Sequence, residues 1–245
     1  MQSIGSPQIF YNENSMESFS ELKLSLFNWI KSCSYGNSFI FDLFGGQTRT
    51  KFECQTCTSV WFQFETQRVS KLDLPIKINK FNLIHLLLQL CGKKENLNHL
   101  LQIYGKKELN KDHICKYCES RGCIKDEKYS ILPKILQIGI VLFNIALNKS
   151  TFSAKGARKI RSLVSFPEEF EFPRELLSES FAKGKVVYDL VSVVYHVGNT
   201  LYEGHYYAAC KYGEKWSIKN DAKKVHLVDR PAAEDAYILF YRKRE

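Results

Sequence analysis

Residues 188–241 decide the fold, reading YDLVSVVYHVG at 188–198, GHYYA at 204–208, WSIKND at 216–221 and AYILFY at 236–241. Each stretch is rich in β-branched and aromatic residues, and Gly, Asn or Asp turn signals separate one from the next. Strands are therefore expected over Val186 to Val197, His205 to Tyr212, Lys215 to Ile218 and Ala236 to Tyr241. Strands joined by turns alone return antiparallel, so the C-terminal third reads as mostly antiparallel sheet.

Upstream, the apolar run Ile131 to Ile145 has the β-branched content of a buried strand, with Pro133 as a boundary. Residues 148–162 are rich in Lys, Ser, Ala and Gly and read as a surface loop. Thr48, Thr50 and Phe52, then Val60, Phe62 and Phe64, alternate with polar neighbours on either side of Cys54-Gln55-Thr56-Cys57. That pattern predicts two strands joined by a cysteine knuckle. A second knuckle follows at Cys115-Lys116-Tyr117-Cys118. Ser18 and Glu21 form a capping box ahead of Leu22, Leu26, Trp29, Ile30 and Cys33, which share one helical face. Further helices are expected over Asn82 to Cys91, closed by Gly92, and over Asn96 to Tyr104.

The 245 residues, 44% hydrophobic and 13% aromatic, exclude a disulfide-stapled mini-protein and supply ample side chains for a core. Six Pro and 13 Gly exclude a disordered or fibrous polymer. Lys and Arg number 35 against 26 acids, a net charge of +9, but the basic groups are scattered among acids and apolar runs. They read as a solvated surface rather than a nucleic-acid footprint, so nucleic acid is not an expected partner. No run approaches the ~18 apolar residues of a membrane span, and Met1-Gln2-Ser3-Ile4-Gly5 opens no secretory signal. An intracellular protein of the cytoplasm or nucleus is expected, where eight cysteines serve as metal ligands, core thiols or a nucleophile rather than as disulfides.

Two Cys-x-x-Cys turns supply the four thiolates that tetrahedral zinc prefers, and a closed four-cysteine site is structural. The 57 residues between Cys57 and Cys115 require a folded insertion to bring the knuckles together. The alternative is four unrelated thiols. A redox pair is disfavoured, because neither knuckle opens a helix after a strand. His205 opens a strand after a Gly-containing loop, and Asn220-Asp221 follow on a later turn. This suits a base whose second ring nitrogen is held by an acceptor, although a histidine at a strand start is also an ordinary surface residue.

The whole string, from Tyr188-Asp189-Leu190 through Gly204-His205-Tyr206-Tyr207-Ala208 and Trp216 to Asp221 into Ala236-Tyr237-Ile238-Leu239-Phe240-Tyr241, resembles the histidine box of the ubiquitin-specific proteases. The resemblance extends back through Leu132-Pro133-Lys134-Ile135-Leu136, both knuckles, Leu72-Asp73-Leu74-Pro75-Ile76 and Phe39 to Phe44, covering roughly 39–241. It implies an α+β papain-like cysteine peptidase with thumb, palm and fingers, an antiparallel palm sheet and zinc-ribbon fingers. On that division 15–35 is a truncated thumb helix, 39–135 the fingers and 136–245 the palm. It further implies a thiol-dependent deubiquitinase that cleaves after the C-terminal glycine of ubiquitin. His205 matches the general base and Asn220 the residue orienting it, with Asp221 as fallback. Cys54, Cys57, Cys115 and Cys118 match the ligands of one structural zinc, with no catalytic cofactor. Gly204 and Tyr206 match the channel for the diglycine tail. Ubiquitin and ubiquitinated proteins are the implied partners, bound by a monomer without a membrane.

The sequence departs from the family in three places. The Gly- and Asn-rich box with Thr-Cys-Tyr that carries the nucleophile has no match here, and the motif normally following it survives as a poor echo around Met16 to Glu21. Gly139-Ile140-Val141-Leu142-Phe143 stands where relatives carry His-Leu-Lys-Arg-Phe. Cys33 reads as a core thiol, Cys91 and Cys123 belong to the fingers, and Cys210 lies five residues along an extended strand from His205. The expectation is the C-terminal part of a deubiquitinase domain, either a truncated gene model or an inactive, ubiquitin-binding paralogue.

Overall fold

A computed structural model describes residues 23, 25–31, 38–67, 71–74, 95–140, 143–144, 158–159, 164–179, 184–198 and 203–245. The capping box at Ser18 and Glu21, the helix expected over Asn82 to Cys91 and most of the 148–162 loop lie outside these residues. The first strands are β1 (Gly46–Cys54), β2 (Val60–Gln67), β3 (Lys71–Leu74), β4 (Glu95–Asn96), β5 (Glu108–Ile114), β6 (Arg121–Ile131), β7 (Ile135–Ile140) and β8 (Phe143–Asn144). They are followed by β9 (Arg158–Lys159), β10 (Val164–Ser165), β11 (Glu169–Glu171), β12 (Val187–Val197), β13 (His205–Tyr212), β14 (Lys215–Lys219), β15 (His226–Val228) and β16 (Ala236–Lys243). Among the described residues no helix is long and apolar enough to cross a membrane.

The chain divides into two units: 1–70 with 105–135 and 172–186, and 71–104 with 136–171 and 187–245. The first is built on an antiparallel sheet in the order β2-β1-β6-β5. The expected alternation holds on β1 and β2, where Phe52 pairs with Trp61 across the strands and both are buried. His113 of β5 lies flat against Phe52 at 4.2 Å between ring centroids, and Phe52 lies 5.4 Å from Trp61. Residues 25–31 are helical, as expected. A short helix absent from the strand reading, Phe39–Phe44, is capped by Ser38 Oγ, which accepts from Phe41 N–H at 3.1 Å.

A polar network holds the 25–31 helix to the sheet. The fully buried Gln47 side chain accepts from the Ser25 and Ser130 hydroxyls through Oε1. Its Nε2 donates to Ser25 O at 3.0 Å and to Thr66 Oγ1 at 3.2 Å. Every hydrogen-bonding position of this amide is used, which makes it stabilising in a low-dielectric interior. Gln47→Leu strands the buried Ser25 hydroxyl and leaves Ser130 only its 3.3 Å bond to the Gln47 carbonyl, and is expected to cost ~2 kcal/mol. A urea titration followed by tryptophan fluorescence checks this, and an unchanged midpoint would refute the network's role.

In the second unit the sheet runs β15-β14-β13-β12-β16-β7-β3, with β11 pairing along the other half of β12. The pairings from β11 through β15, and β12 with β16, are antiparallel, while β3 with β7 is parallel. Strands are seen at all four expected C-terminal places, each within two residues of the expected bounds. The short β11 and β15 went unexpected, since three residues carry too little periodicity to register. Ile131 ends β6 and the apolar run resumes after Pro133 as β7, whose Leu136, Ile138 and Ile140 are buried. The expected helix at Asn96 runs Leu97–Tyr104, with Asn96 Oδ1 accepting from His99 N–H at 2.8 Å and Leu97, Leu100 and Leu101 buried. Residues 71–74 and 95–104 group with this second unit.

On β12 the burial pattern changes phase. Tyr188 and Leu190 face inward, then Val193 and Tyr195, and the register against β16 shifts between Leu190 and Ser192. A bulge of this kind adds one residue and reverses which side chains point to the core.

Candidate active site and four-cysteine centre

His205 is the first residue of β13, opposite Val197 of β12. Asn220 follows β14 directly, and the pairing of Ala208 with Lys219 brings the Asn220 turn back beside the start of β13. His205 Nε2 lies 2.6 Å from Asn220 Oδ1. An amide oxygen only accepts, so this contact places the ring proton on Nε2 and leaves the Nδ1 lone pair available as a base. Asp221 adopts φ 47°, a left-handed conformation that a short polar side chain tolerates. That turn brings its Oδ2 to 3.7 Å from His205 Nδ1, a contact that becomes an ion pair only when the ring carries a second proton. Lys223 N–H donates to Asn220 O at 3.0 Å and closes the turn. Thus all three expected site residues meet, with Asn220 and Asp221 at different ring nitrogens. The His205 side chain is 45% exposed, open to an incoming group.

A cavity of about 330 Å³ borders Asn220 and Asp221, with Val194, Tyr206, Ala208 and Lys219 among its lining. Residues alternate across the sheet, so Tyr206 and Ala208 line it from the face of β13 opposite His205, and Tyr207, also in the lining, shares the face of His205. Cys210 lies an odd number of residues after His205 and so projects from that opposite face, its Sγ 3.6 Å from Ser192 Oγ. Of the other described cysteines, Cys123 is buried with its Sγ toward His113 O, and the remaining four face one another. Cys33 and Cys91 lie outside the described residues.

Those four are Cys54, Cys57, Cys115 and Cys118, whose sulfurs all lie within 4.8 Å of one another. Cys54 Sγ is 3.6 Å from Cys118 Sγ, and Cys57 Sγ is 3.6 Å from Cys115 Sγ. The two knuckles are built alike. Thr58 N–H donates to Cys54 O at 3.1 Å and Glu119 N–H to Cys115 O at 3.0 Å, and both Thr58 and Glu119 adopt φ 58°. In each, backbone N–H groups also point at the first sulfur: Thr56 to Cys54 and Tyr117 to Cys115, both at 3.4 Å. Such donors stabilise thiolate. The Cys57 N–H at 3.5 Å, with that of Thr56, holds the Cys54 thiol below its ordinary value, and the Ser59 and Ser120 hydroxyls do the same for Cys57 and Cys118. Burial instead pushes Cys115 up to about 12. Four sulfurs around a metal at a Zn–S distance of about 2.3 Å would stand about 3.8 Å apart, so the donor set and its spacing fit a tetrahedral soft-metal site.

One residue absent from the sequence reading belongs to this neighbourhood. His196 is buried, and its ring packs against Gly204, immediately before His205. The only sequence signal is the pair of glycines, Gly198 and Gly204, that follow it.

Residues 8–241 match the family model for ubiquitin carboxyl-terminal hydrolase. The mouse ubiquitin carboxyl-terminal hydrolase 17-like protein B is 28% identical over 230 residues, which are 92% of this chain and 44% of that protein. Human ubiquitin carboxyl-terminal hydrolase 21 is 27% identical over 223 residues, 87% of this chain and 35% of that one. Among solved structures, the yeast SAGA DUB module with an Sgf73 mutant aligns at TM-score 0.65 and 25% identity, covering 85% of this chain and 43% of that chain. The SAGA Ubp8/Sgf11/Sus1/Sgf73 DUB module bound to ubiquitin aldehyde aligns at TM-score 0.66 and 23% identity, covering 93% and 48%. The chain thus spans less than half the length of these relatives.

Proposed function

The chain belongs to the ubiquitin carboxyl-terminal hydrolase family, and from that premise we propose that it forms the histidine-bearing part of a thiol-dependent deubiquitinase. The observation that carries this reading is the contact of His205 Nε2 with Asn220 Oδ1 at the mouth of the antiparallel sheet. In the proposed reaction Nδ1 of His205 takes the proton of a cysteine thiol, and the thiolate attacks the carbonyl carbon of the C-terminal glycine of ubiquitin. The same nitrogen returns the proton to the departing lysine amine, and water then hydrolyses the thioester. Asn220 holds the tautomer and ring orientation that this exchange needs. Gly204 and Tyr206 line the passage for the diglycine tail. In the family's terms the helix near 25–31 belongs to the thumb, the β2-β1-β6-β5 sheet to the fingers and the sheet around β12 to the palm. Cys54, Cys57, Cys115 and Cys118 would hold one zinc ion, which when bound ties the two knuckles together; with four protein ligands it keeps no position open for water.

A second reading is favoured by the direction of Cys210, which points away from His205: the chain holds ubiquitin without hydrolysing it. One experiment separates the two. The protein as its gene encodes it is titrated into isotopically labelled ubiquitin and assayed on a fluorogenic amide of the ubiquitin C-terminus. Saturable shifts at the ubiquitin tail together with turnover support the enzyme, and shifts without turnover support the holder. Neither shift changes nor turnover at millimolar concentration would overturn both.

A further inference from the structure

We propose that His196 is a positioning residue for His205, its imidazole acting as a plug between two glycine backbones that fixes where β13 begins. The inference rests on the role of His205 given above. His196 lies next to last on β12, is 1% exposed, and pairs across the strands with Tyr206, the neighbour of His205. A Cβ on Gly204 would fall 2.1 Å from His196 Nε2 and 2.7 Å from its Cε1, so the ring occupies the place of a side chain at the residue before His205. On the other side, a Cβ on Gly198 would meet Glu203 O at 2.6 Å, Gly204 Cα at 2.8 Å and His196 Cε1 at 3.3 Å. The two chain ends and the ring therefore pack at backbone contact, and any side chain at 198 or 204 would force them apart.

The residue is held through its backbone and through its ring. His196 N–H donates to Asp235 O at 3.0 Å, at the turn entering β16. Tyr206 and Tyr237 cover it with ring centroids at 4.7 and 6.1 Å. Asp235 has φ 58°, and the register between β12 and β16 shifts between Val194 and Tyr195. Emptying the plug or crowding it moves the Gly204 backbone, and the His205 Cα moves with it. A contact of 2.6 Å between His205 and Asn220 tolerates little displacement, since hydrogen bonds weaken steeply off their optimum.

The test reads His205 directly in the isolated chain and needs no turnover. Long-range ¹⁵N imidazole spectra report the ratio of Nε2–H to Nδ1–H tautomer at His205. His196→Ala and Gly204→Ala, which loosen and crowd the same contact, are each expected to lower that ratio about tenfold, as expected for loss of one hydrogen bond. Tyr241→Phe, which removes the donor to Pro167 O elsewhere in the same unit, controls for general loss of stability and is expected to leave the ratio unchanged. If either variant fails to fold, the other carries the test. A His205 ratio unchanged in a folded His196→Ala or Gly204→Ala chain, or shifted equally by Tyr241→Phe, overturns the proposal. Because no activity is read, that outcome is distinct from failure of His205 as a base, which appears only in hydrolysis.

Discussion

Cys115→Ser is expected to abolish stoichiometric zinc binding and to lower the melting temperature by about 8–16 °C, corresponding to ~4 kcal/mol in a chain of this size. Zinc bound by four cysteines contributes about 10–16 kcal/mol in small zinc domains, comparable with the ~5–15 kcal/mol that keeps a whole domain folded. Cys115 is the most buried of the four, and burial pushes its thiol up to about 12, so its thiolate would depend most on a bound metal. Its loss also reaches the packed cluster of Phe52, Trp61 and Cys123 beside it. Cys123→Ser is the control: it sits opposite Cys54 across β1 and β6 but outside the four-sulfur set, and it should retain one zinc per chain. Elemental analysis of the purified protein and melting with and without chelator provide the readouts. Protein that carries no zinc, or a Cys115→Ser chain that melts unchanged, would refute a structural metal.

The second large effect is on chemistry. In the hydrolytically competent protein, His205→Ala is expected to lower kcat/KM by about 10³-fold or more, the upper part of the range for a positioned general base. Asn220→Ala should cost about 10- to 100-fold, because it releases the Nε2 proton contact and lets the ring tautomer and orientation vary. Asp221→Ala should cost less than about fivefold, since its carboxylate is 75% exposed and attraction at such a site is screened by water. Ubiquitin affinity should stay within about twofold in all three. The order matters more than the sizes: a greater loss at Asp221 than at Asn220 would transfer the orienting role to the carboxylate.

Much of this site was legible because its residues cluster in sequence. His205, Asn220 and Asp221 fall within 17 residues spanning one hairpin and its exit turn, and the turn signals at Gly213 and Asn220 fix how the strands return. The knuckles were legible for the same reason, each being a four-residue turn with its own hydrogen bonds. What escaped were elements too short for periodicity, such as β15, and features created by packing. The reason His196 is buried could not be read from YDLVSVVYHVG: the phase of Tyr188 and Leu190 ends at the bulge, which leaves His196 on the face opposite Val193 and Tyr195, where Gly204, Tyr206 and Tyr237 pack around it. Only the bulge on β12 puts Val193 and Tyr195 inward.

By itself, then, the sequence determined the family, the strand-and-turn grammar of the C-terminal sheet, and which side chains to look for at the two candidate sites, because local pattern and residue chemistry suffice for each. The tertiary structure alone decided which ring nitrogen of His205 meets which partner, and that His196 fills the gap between Gly198 and Gly204. It also brought two knuckles separated by 57 residues to sulfur contacts of 3.6 Å. These depend on strand register and on side chains meeting across the sheet, and a one-residue slip would undo any of them while leaving every local preference intact.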